Sequence, residues 1–219
     1  MKPEVFVHRW KGKASGAAES SNYSLFLTEL CDLLDVPHPD PARPENDLNA
    51  YVFQRRVVFQ HGDGTTSTGF IDLYKRGSFV LEAKQGIEEE LRKEDGPALF
   101  APRSPRRSSA VSRGTPRWDR LMVQARNQAE GYARALPAAE GRPPFILVVD
   151  VGHTIEVHSE FTCTGGIYVP FPDARSHRIP LSALLQEETR SLLRKIWLDP
   201  MSLDSSRESA IVKAAPFSA

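Results

Sequence analysis

Hydrophobic residues recur along the chain at three- and four-residue intervals in several long segments, which predicts helices. One such segment follows the polar residues 20–22 and ends before Pro37. Another begins after residues 115–116, a Thr-Pro pair that favours a helix start, and continues to about Leu136. A last helix is predicted from Pro180 onward, and residues 5–13 are interpreted as a short helix or an ordered arm.

Shorter apolar runs between these segments predict strands. Residues 51–60 form one strand, and residues 70–74 and 78–84 flank a polar turn, which is typical of a β-hairpin. Both faces of the hairpin strands carry apolar side chains, so we expect them to be covered on both sides. Further strands are predicted at residues 145–149, 154–161 and 167–171. This order predicts an α/β fold with a mixed central β-sheet flanked by helices on both faces.

Three charged residues interrupt the apolar hairpin. Glu82 and Lys84 are two apart on one strand and therefore share a face. A three-residue loop at residues 76–78 would place Asp72 opposite Glu82, with their Cβ atoms about 5 Å apart. Two half-buried carboxylates this close repel each other unless a cation binds or one takes up a proton. The pattern predicts a magnesium ion, with manganese as a substitute, bound by Asp72, Glu82 and the carbonyl of Ala83.

Lys84 completes a set of groups suited to phosphodiester hydrolysis. An ammonium beside a metal ion and a phosphate orients or deprotonates the attacking water and stabilises the developing charge. The alternative is a surface Asp72 with an exposed Glu82–Lys84 ion pair on a solvated sheet face. Because charged residues are rare in strands that are apolar on both sides, their position favours the functional interpretation.

Four polar residues outside this trio are further candidates. Gln128 and Tyr132 lie four apart on one helix face, where they would contact DNA phosphates or hold Lys84; the alternative is a core tyrosine beside a surface glutamine. Glu29 is a third acid near the metal or a solvated helix residue. Gln85 hydrogen-bonds near the scissile phosphate or is a polar strand end.

An arginine-rich segment near the middle of the chain is the candidate for contacting DNA. The chain has 219 residues with 28 basic and 28 acidic side chains, and this balance argues mildly against a nucleic-acid binder. Residues 96–114 are predicted to be a flexible loop, and residues 101–117 contain no acid. The predicted phosphate contacts are Arg103, Arg106, Arg107 and Arg113. A disordered linker is the alternative.

Other residue types narrow the location and the metal chemistry. Cys31 and Cys163 are far apart and predict reduced thiols in a cytoplasmic protein. No signal peptide or membrane-spanning run is found in the sequence, so no membrane partner is expected. His153 and His158 have no second histidine or cysteine at ligand spacing and are not predicted as metal ligands.

The motifs together resemble a known nuclease group. Asp72, Glu82-Ala83-Lys84 and the Gln128-x-x-x-Tyr132 pair resemble the PD-(D/E)xK nuclease superfamily in its RecB-like branch. Residues 21–27 (Ser-Asn-Tyr-Ser-Leu-Phe-Leu) and 29–37 resemble the N-terminal region of MmeI-type (type IIL) restriction-modification enzymes. Those enzymes join an endonuclease domain to an adenine methyltransferase and a target-recognition domain in one chain.

The resemblance covers about residues 1–200 and implies a restriction-endonuclease-like domain, with residues 201–219 as a tail or the start of a spacer. It implies metal-dependent cleavage of double-stranded DNA in restriction or phage defence, with Asp72 and Glu82 as metal ligands and Lys84 as the catalytic lysine. Glu29, Gln128 and Tyr132 carry over as supporting residues. The expected partners are a methyltransferase and target-recognition module, in cis or in trans, and a second copy in a dimer on DNA.

Two other functions stay open at this stage. One is a catalytically silent domain that keeps the nuclease fold and docks onto a methyltransferase or another defence partner. The other is a ribonuclease or a nickase of branched DNA. The sequence offers no aromatic platform on which single-stranded bases would stack, which weighs against RNA.

Overall fold

The computed structural model describes residues 1–11, 19–84 and 113–206 of the chain. Its α-helices are α1 (Pro3–Trp10), α2 (Glu19–Leu34), α3 (Pro116–Ala135) and α4 (Glu187–Leu198). Its strands are β1 (Tyr51–Gln60), β2 (Thr66–Lys75), β3 (Phe79–Lys84), β4 (Phe145–Asp150), β5 (Thr154–Ser159), β6 (Val169–Pro170) and β7 (Arg178–Pro180). Short 3-10 turns lie at Asn46–Leu48, Ala138–Glu140, Leu181–Leu185 and Pro200–Leu203.

The strands form one mixed sheet in the order β1-β2-β3-β4-β5-β6, with β7 also paired to β5. Strands β3 and β4 are parallel, and the other neighbours are antiparallel. A parallel pair requires a long crossover connection, and α3 lies within the segment that joins β3 to β4. The predicted mixed sheet is therefore confirmed.

Apolar cores lie on both faces of the sheet, because successive side chains of a strand point to opposite faces. One core joins the sheet to α1, α2 and α4, and it includes Phe6, Leu27, Leu30, Leu81, Leu147 and Trp197. The other lies beneath α3 and includes Val80, Met122, Ala125, Ala129 and Ile146. Helices on both faces confirm the predicted restriction-endonuclease-like architecture.

Several boundaries differ from the pattern-based prediction. Helix α3 begins as predicted, with Thr115 Oγ1 accepting a hydrogen bond from the Trp118 amide at 3.2 Å. Helix α2 already begins at Glu19, before the expected cap at residues 20–22. Pro180 ends β7 and is followed by a short 3-10 helix at Leu181–Leu185, and the α-helix predicted from Pro180 begins only at Glu187. Proline is tolerated at the end of a strand because the backbone N–H that it lacks is not needed there for pairing. A strand of three residues is too short to show the two-residue alternation by which a sequence predicts a strand.

Candidate active site

The β2–β3 hairpin has the register that the sequence predicted. Leu73 pairs with Leu81 and Lys75 with Phe79, which leaves residues 76–78 as a three-residue loop. Gly77 has a φ of +69°, a left-handed conformation that closes such a loop without strain. Continuing this register by one residue puts Asp72 beside Glu82 on the neighbouring strand.

Asp72 lies where the two strands stop pairing. Its Oδ2 accepts a hydrogen bond from the amide of Ala83 at 2.8 Å, so the side chain takes the place of a strand-to-strand bond. Leu73 packs into the first core and Ile71 into the second, although residues two apart normally share a face. Strand β2 therefore rotates at Asp72, which directs this carboxylate toward β3.

Burial raises the pKa of Asp72 above its ordinary value, and the Ala83 amide, the Lys84 charge and a hydrogen bond from Gln54 oppose this shift. A carboxylate held partly desolvated in this way favours a bound cation over the free ionised state.

Glu82 and Lys84 form the second half of the site. Glu82 is 3% exposed, and its Oε1 lies 2.7 Å from the Nζ of Lys84. An exposed pair on a solvated face was the alternative interpretation; the burial of Glu82 excludes it. The hairpin register and the Glu82–Lys84 contact place the three residues at the same end of the hairpin, and their joint role as a catalytic site stays a prediction.

Gln54 and Tyr23 are site residues that the sequence did not reveal. Gln54 Nε2 donates to Asp72 Oδ1 at 3.1 Å and to the Tyr23 hydroxyl at 2.7 Å. Gln54 has a φ of +54° and is missing from the β1–β2 register between Phe53 and Arg55. Such a distortion re-aims a side chain and is frequent beside active sites. The strand pattern gave no signal for it, since Gln54 looks like an ordinary outward polar residue.

Asp150 lies beside the site at the end of β4, where it pairs with Lys84 in the parallel register. Its fully buried carboxylate accepts two hydrogen bonds from the Arg113 guanidinium, both at 2.9 Å, and one from the Trp118 indole at 2.8 Å. The prediction of Arg113 as a DNA-phosphate contact is therefore not met in this structure. A guanidinium is buried here because it pairs in a bidentate manner with a carboxylate.

Glu29 lies on α2 and is 7% exposed. One of its oxygens accepts a hydrogen bond from the Trp10 indole at 2.8 Å, and the other lies 3.0 Å from an Arg9 guanidinium nitrogen. The carboxylate thus joins α2 to α1, which excludes the simple solvated residue. Its role as a third metal ligand stays a prediction.

Gln128 and Tyr132 interact on α3, where Gln128 Nε2 donates to the Tyr132 hydroxyl at 2.8 Å. The Tyr132 ring packs on Phe59 and on Gly69, and a Cβ added at Gly69 would lie 2.5 Å from the ring. Gly69 is three residues before Asp72 on β2. Tyr132 is thus a core residue near the site, and its action on DNA or on Lys84 stays a prediction.

Four predicted contacts lie outside the described residues. They are Gln85, Arg103, Arg106 and Arg107. The same holds for all of the predicted loop 96–114 except Arg113 and Gly114.

The pKa of Asp72 lies above the ordinary carboxyl value of 3.8. The magnesium ion that Asp72 is predicted to bind should therefore be held more weakly as the pH is lowered through this raised pKa. Below that pKa a proton competes with the cation, so each pH unit should weaken binding by up to about tenfold. The stability of the metal-free protein should depend on pH in the opposite direction. Because the folded state binds the Asp72 proton more tightly than the unfolded chain, the free energy of unfolding falls as the pH rises from 3.8 through the raised pKa. Calorimetric titration with magnesium at a series of pH values from about 4 upward measures the first effect.

The variant Gln54→Gly tests whether Asp72, rather than another titrating group, causes the pH dependence of magnesium affinity. It removes the hydrogen bond that lowers the pKa of Asp72, so the affinity profile should move to higher pH. Asp63→Asn, in the exposed β1–β2 turn, should leave the profile in place. A profile that is the same in Gln54→Gly and in the unmodified protein would contradict this role of Asp72.

Comparison with known proteins gives one family. No curated protein and no solved structure matched the chain, and in the described residues no helix has the length and apolar character of a membrane span. A family model, described as the MmeI N-terminal domain, matches residues 1–215. The match spans nearly the whole chain and agrees with the resemblance that residues 21–37 carry. The chain therefore belongs to the family of N-terminal domains of MmeI-type restriction enzymes.

Proposed function

We propose that this chain is a magnesium-dependent DNA endonuclease module of a restriction-modification enzyme. The observation that supports the proposal is the buried Glu82–Lys84 pair on β3, together with the Asp72 carboxylate that accepts the Ala83 amide at the same end of the hairpin. Charged groups that are partly desolvated and paired in this way mark a candidate functional site. Family membership supports the restriction context.

The donor set fits a hard divalent cation. Asp72 and Glu82 would hold it through carboxylate oxygens, and the Ala83 carbonyl would add a third, which are the ligands magnesium prefers. The charged groups at this end of the sheet carry a net charge of −1, with three acids (Asp72, Glu82 and Asp150) and two bases (Lys84 and Arg113). The bound ion would polarise the scissile phosphate and lower the pKa of a coordinated water.

Lys84 would act on the phosphate itself. Its ammonium is only partly buried and is held 2.7 Å from Glu82, so it is positioned but still reachable from solvent. A cation fixed in advance beside the reacting phosphorus stabilises the charge that develops as the water attacks. Gln54 keeps the Asp72 carboxylate oriented, which makes it a positioning residue.

DNA binding and sequence recognition would come from other parts of the enzyme. Arg103, Arg106 and Arg107 would neutralise backbone phosphates and give a salt-dependent affinity. A methyltransferase and target-recognition module, in cis or in trans, would select the site. Two copies on one duplex would cut both strands.

Supercoiled plasmid DNA is expected to be nicked or linearised by the protein with magnesium or manganese, and EDTA should stop the reaction. Magnesium calorimetry accompanies the assay, because a docking domain without activity need not bind metal at Asp72 and Glu82. Cleavage that persists in EDTA would contradict the proposal. Absence of both cleavage and magnesium binding, also in the presence of the methyltransferase module, would favour the silent docking domain.

A further inference from the structure

A group of potential metal-ligating side chains lies on β5 and in the segment just before β7, and none of them belongs to the candidate active site. It consists of Glu156, His158 and His177, and one ligand atom from each lies within 4.8 Å of the others. Glu156 and His158 are two apart on β5 and share a face. His177 joins them because its carbonyl accepts a hydrogen bond from the Val157 amide at 2.9 Å, which fixes the segment before β7 against β5.

The His158 ring is buried without an ordinary partner. His158 is 2% exposed, and within the described part of the chain neither of its ring nitrogens has a hydrogen bond. The nearest carboxylate oxygen is Glu156 Oε2, 3.6 Å from His158 Nε2. Burying a polar ring with both nitrogens unsatisfied is unfavourable, so this position is explained best by a further partner.

His177 is oriented as a metal ligand would be. Its Nδ1 donates to the carbonyl of Ala174 at 3.1 Å, which leaves the lone pair on Nε2. Histidine ligands commonly fix their tautomer by such a bond to a backbone carbonyl. Burial lowers the pKa of His177, against the pull of Glu156, and this favours the neutral ring that metals bind. The two rings lie 5.5 Å apart between centroids.

The charges around the group suit a dication. Glu156 Oε1 lies 2.6 Å from Arg178 Nε, which leaves Oε2 on the side of His158. Although burial opposes it, contacts with His158 and Arg178 hold the pKa of Glu156 below its ordinary value. Arg178 is itself paired with Asp119 at 3.0 Å. Glu156, Asp119 and Arg178 together carry a net charge of −1, which lies beside the imidazoles of His158 and His177.

We propose that Glu156, His158 and His177 form a zinc site that fastens the segment before β7 to the sheet. Two imidazoles and one carboxylate are a common zinc ligand set, whereas magnesium and calcium take mainly oxygen ligands. Zinc bonds of about 2.0–2.1 Å in a tetrahedron place ligand atoms about 3.3 Å apart. The three side chains therefore have to approach each other by at most about 1.5 Å.

Zinc binding is tested by calorimetry on the metal-free protein that carries Asp72→Asn, which removes the carboxylate centre as a competing site. This protein should bind one zinc ion, and adding His177→Gln should weaken the affinity by at least about 100-fold. The matched control is His38→Gln. His38 Nε2 lies 2.8 Å from Asp32 Oδ1 on the surface, but the pair belongs to no group of three ligands among the described residues, so its loss should change nothing.

A second measurement does not require any ligand of the proposed zinc site to be substituted. Cobalt(II) added to the Asp72→Asn protein should give the visible absorption of a tetrahedral site, and one equivalent of zinc should abolish it. The proposal is overturned if no such absorption appears, or if His177→Gln and its parent bind zinc equally well. Because the test protein already lacks Asp72, failure here leaves the endonuclease proposal unaffected.

Discussion

Asp72→Asn and Lys84→Met are each expected to lower magnesium-dependent plasmid cleavage by at least about 1,000-fold. Asparagine keeps the shape of Asp72 but loses the charge that would hold the cation. Methionine keeps the length of Lys84 but loses the ammonium that would stabilise the charged transition state. The measurement is the initial rate of conversion of supercoiled plasmid at saturating magnesium. In calorimetry, Asp72→Asn should also lose most of its magnesium affinity, while Lys84→Met should retain it.

The matched controls carry the same changes away from the site. Asp63→Asn lies in the β1–β2 turn and Lys195→Met on an exposed position of α4, and both should cleave at the unmodified rate. Melting temperatures should stay within a few degrees for Asp72→Asn, Asp63→Asn and Lys195→Met. Lys84→Met leaves the buried Glu82 carboxylate without its ammonium partner and should melt lower, so its cleavage is measured well below its melting temperature. Undiminished cleavage by either site variant would remove Asp72 or Lys84 from the proposed mechanism.

Glu140→Ala is expected to lower the free energy of unfolding by about 3–5 kcal/mol. Glu140 Oε1 lies 2.5 Å from the guanidinium of Arg55, whose side chain is 1% exposed. Glu140 Oε2 accepts a hydrogen bond from the Tyr74 hydroxyl at 2.8 Å. Removing the carboxylate leaves a buried guanidinium uncompensated, and this is one of the few changes with so large an effect. Urea unfolding followed by circular dichroism measures it.

Two further variants test whether the loss of stability in Glu140→Ala comes from the buried charge or simply from the loss of an ion pair. Glu187 also contacts two arginines, Arg190 and Arg194, but its side chain is 62% exposed, so Glu187→Ala should barely move the unfolding midpoint. The double variant Arg55→Met with Glu140→Gln removes the buried charge and keeps an acceptor for Tyr74. It should be more stable than Glu140→Ala. If the double variant is instead the less stable one, the uncompensated charge is not the cause.

Much of the candidate site could be predicted from local rules. A three-residue turn and the two-residue period of strands fix the β2–β3 register, and that register places Asp72 next to Glu82 and Lys84. The helix starting at Pro116 is likewise local, because its cap and its apolar spacing lie within one segment. These features depend on neighbours a few residues apart, which is why patterns reveal them.

Other features depend on contacts between distant residues. Gln54 reaches Tyr23 across 31 positions, and Arg113 is buried by Asp150 across 37. Arg113 was predicted to contact DNA phosphates, whereas here it pairs with Asp150, because an arginine-rich segment gives no sign of which member finds a buried carboxylate. His158 was dismissed as a ligand because no second histidine stands at ligand spacing, yet the β5–β7 pairing brings His177 beside it.

The sequence by itself determined the order of helices and strands, the mixed sheet and the trio of Asp72, Glu82 and Lys84. The tertiary structure decided how Asp72 is oriented, which arginine is buried and which histidines meet. The physical reason is that period and turn length act along the chain, whereas burial and charge pairing act through space. A side chain's partner in the folded protein is set by the packing of whole elements, and no local pattern encodes it.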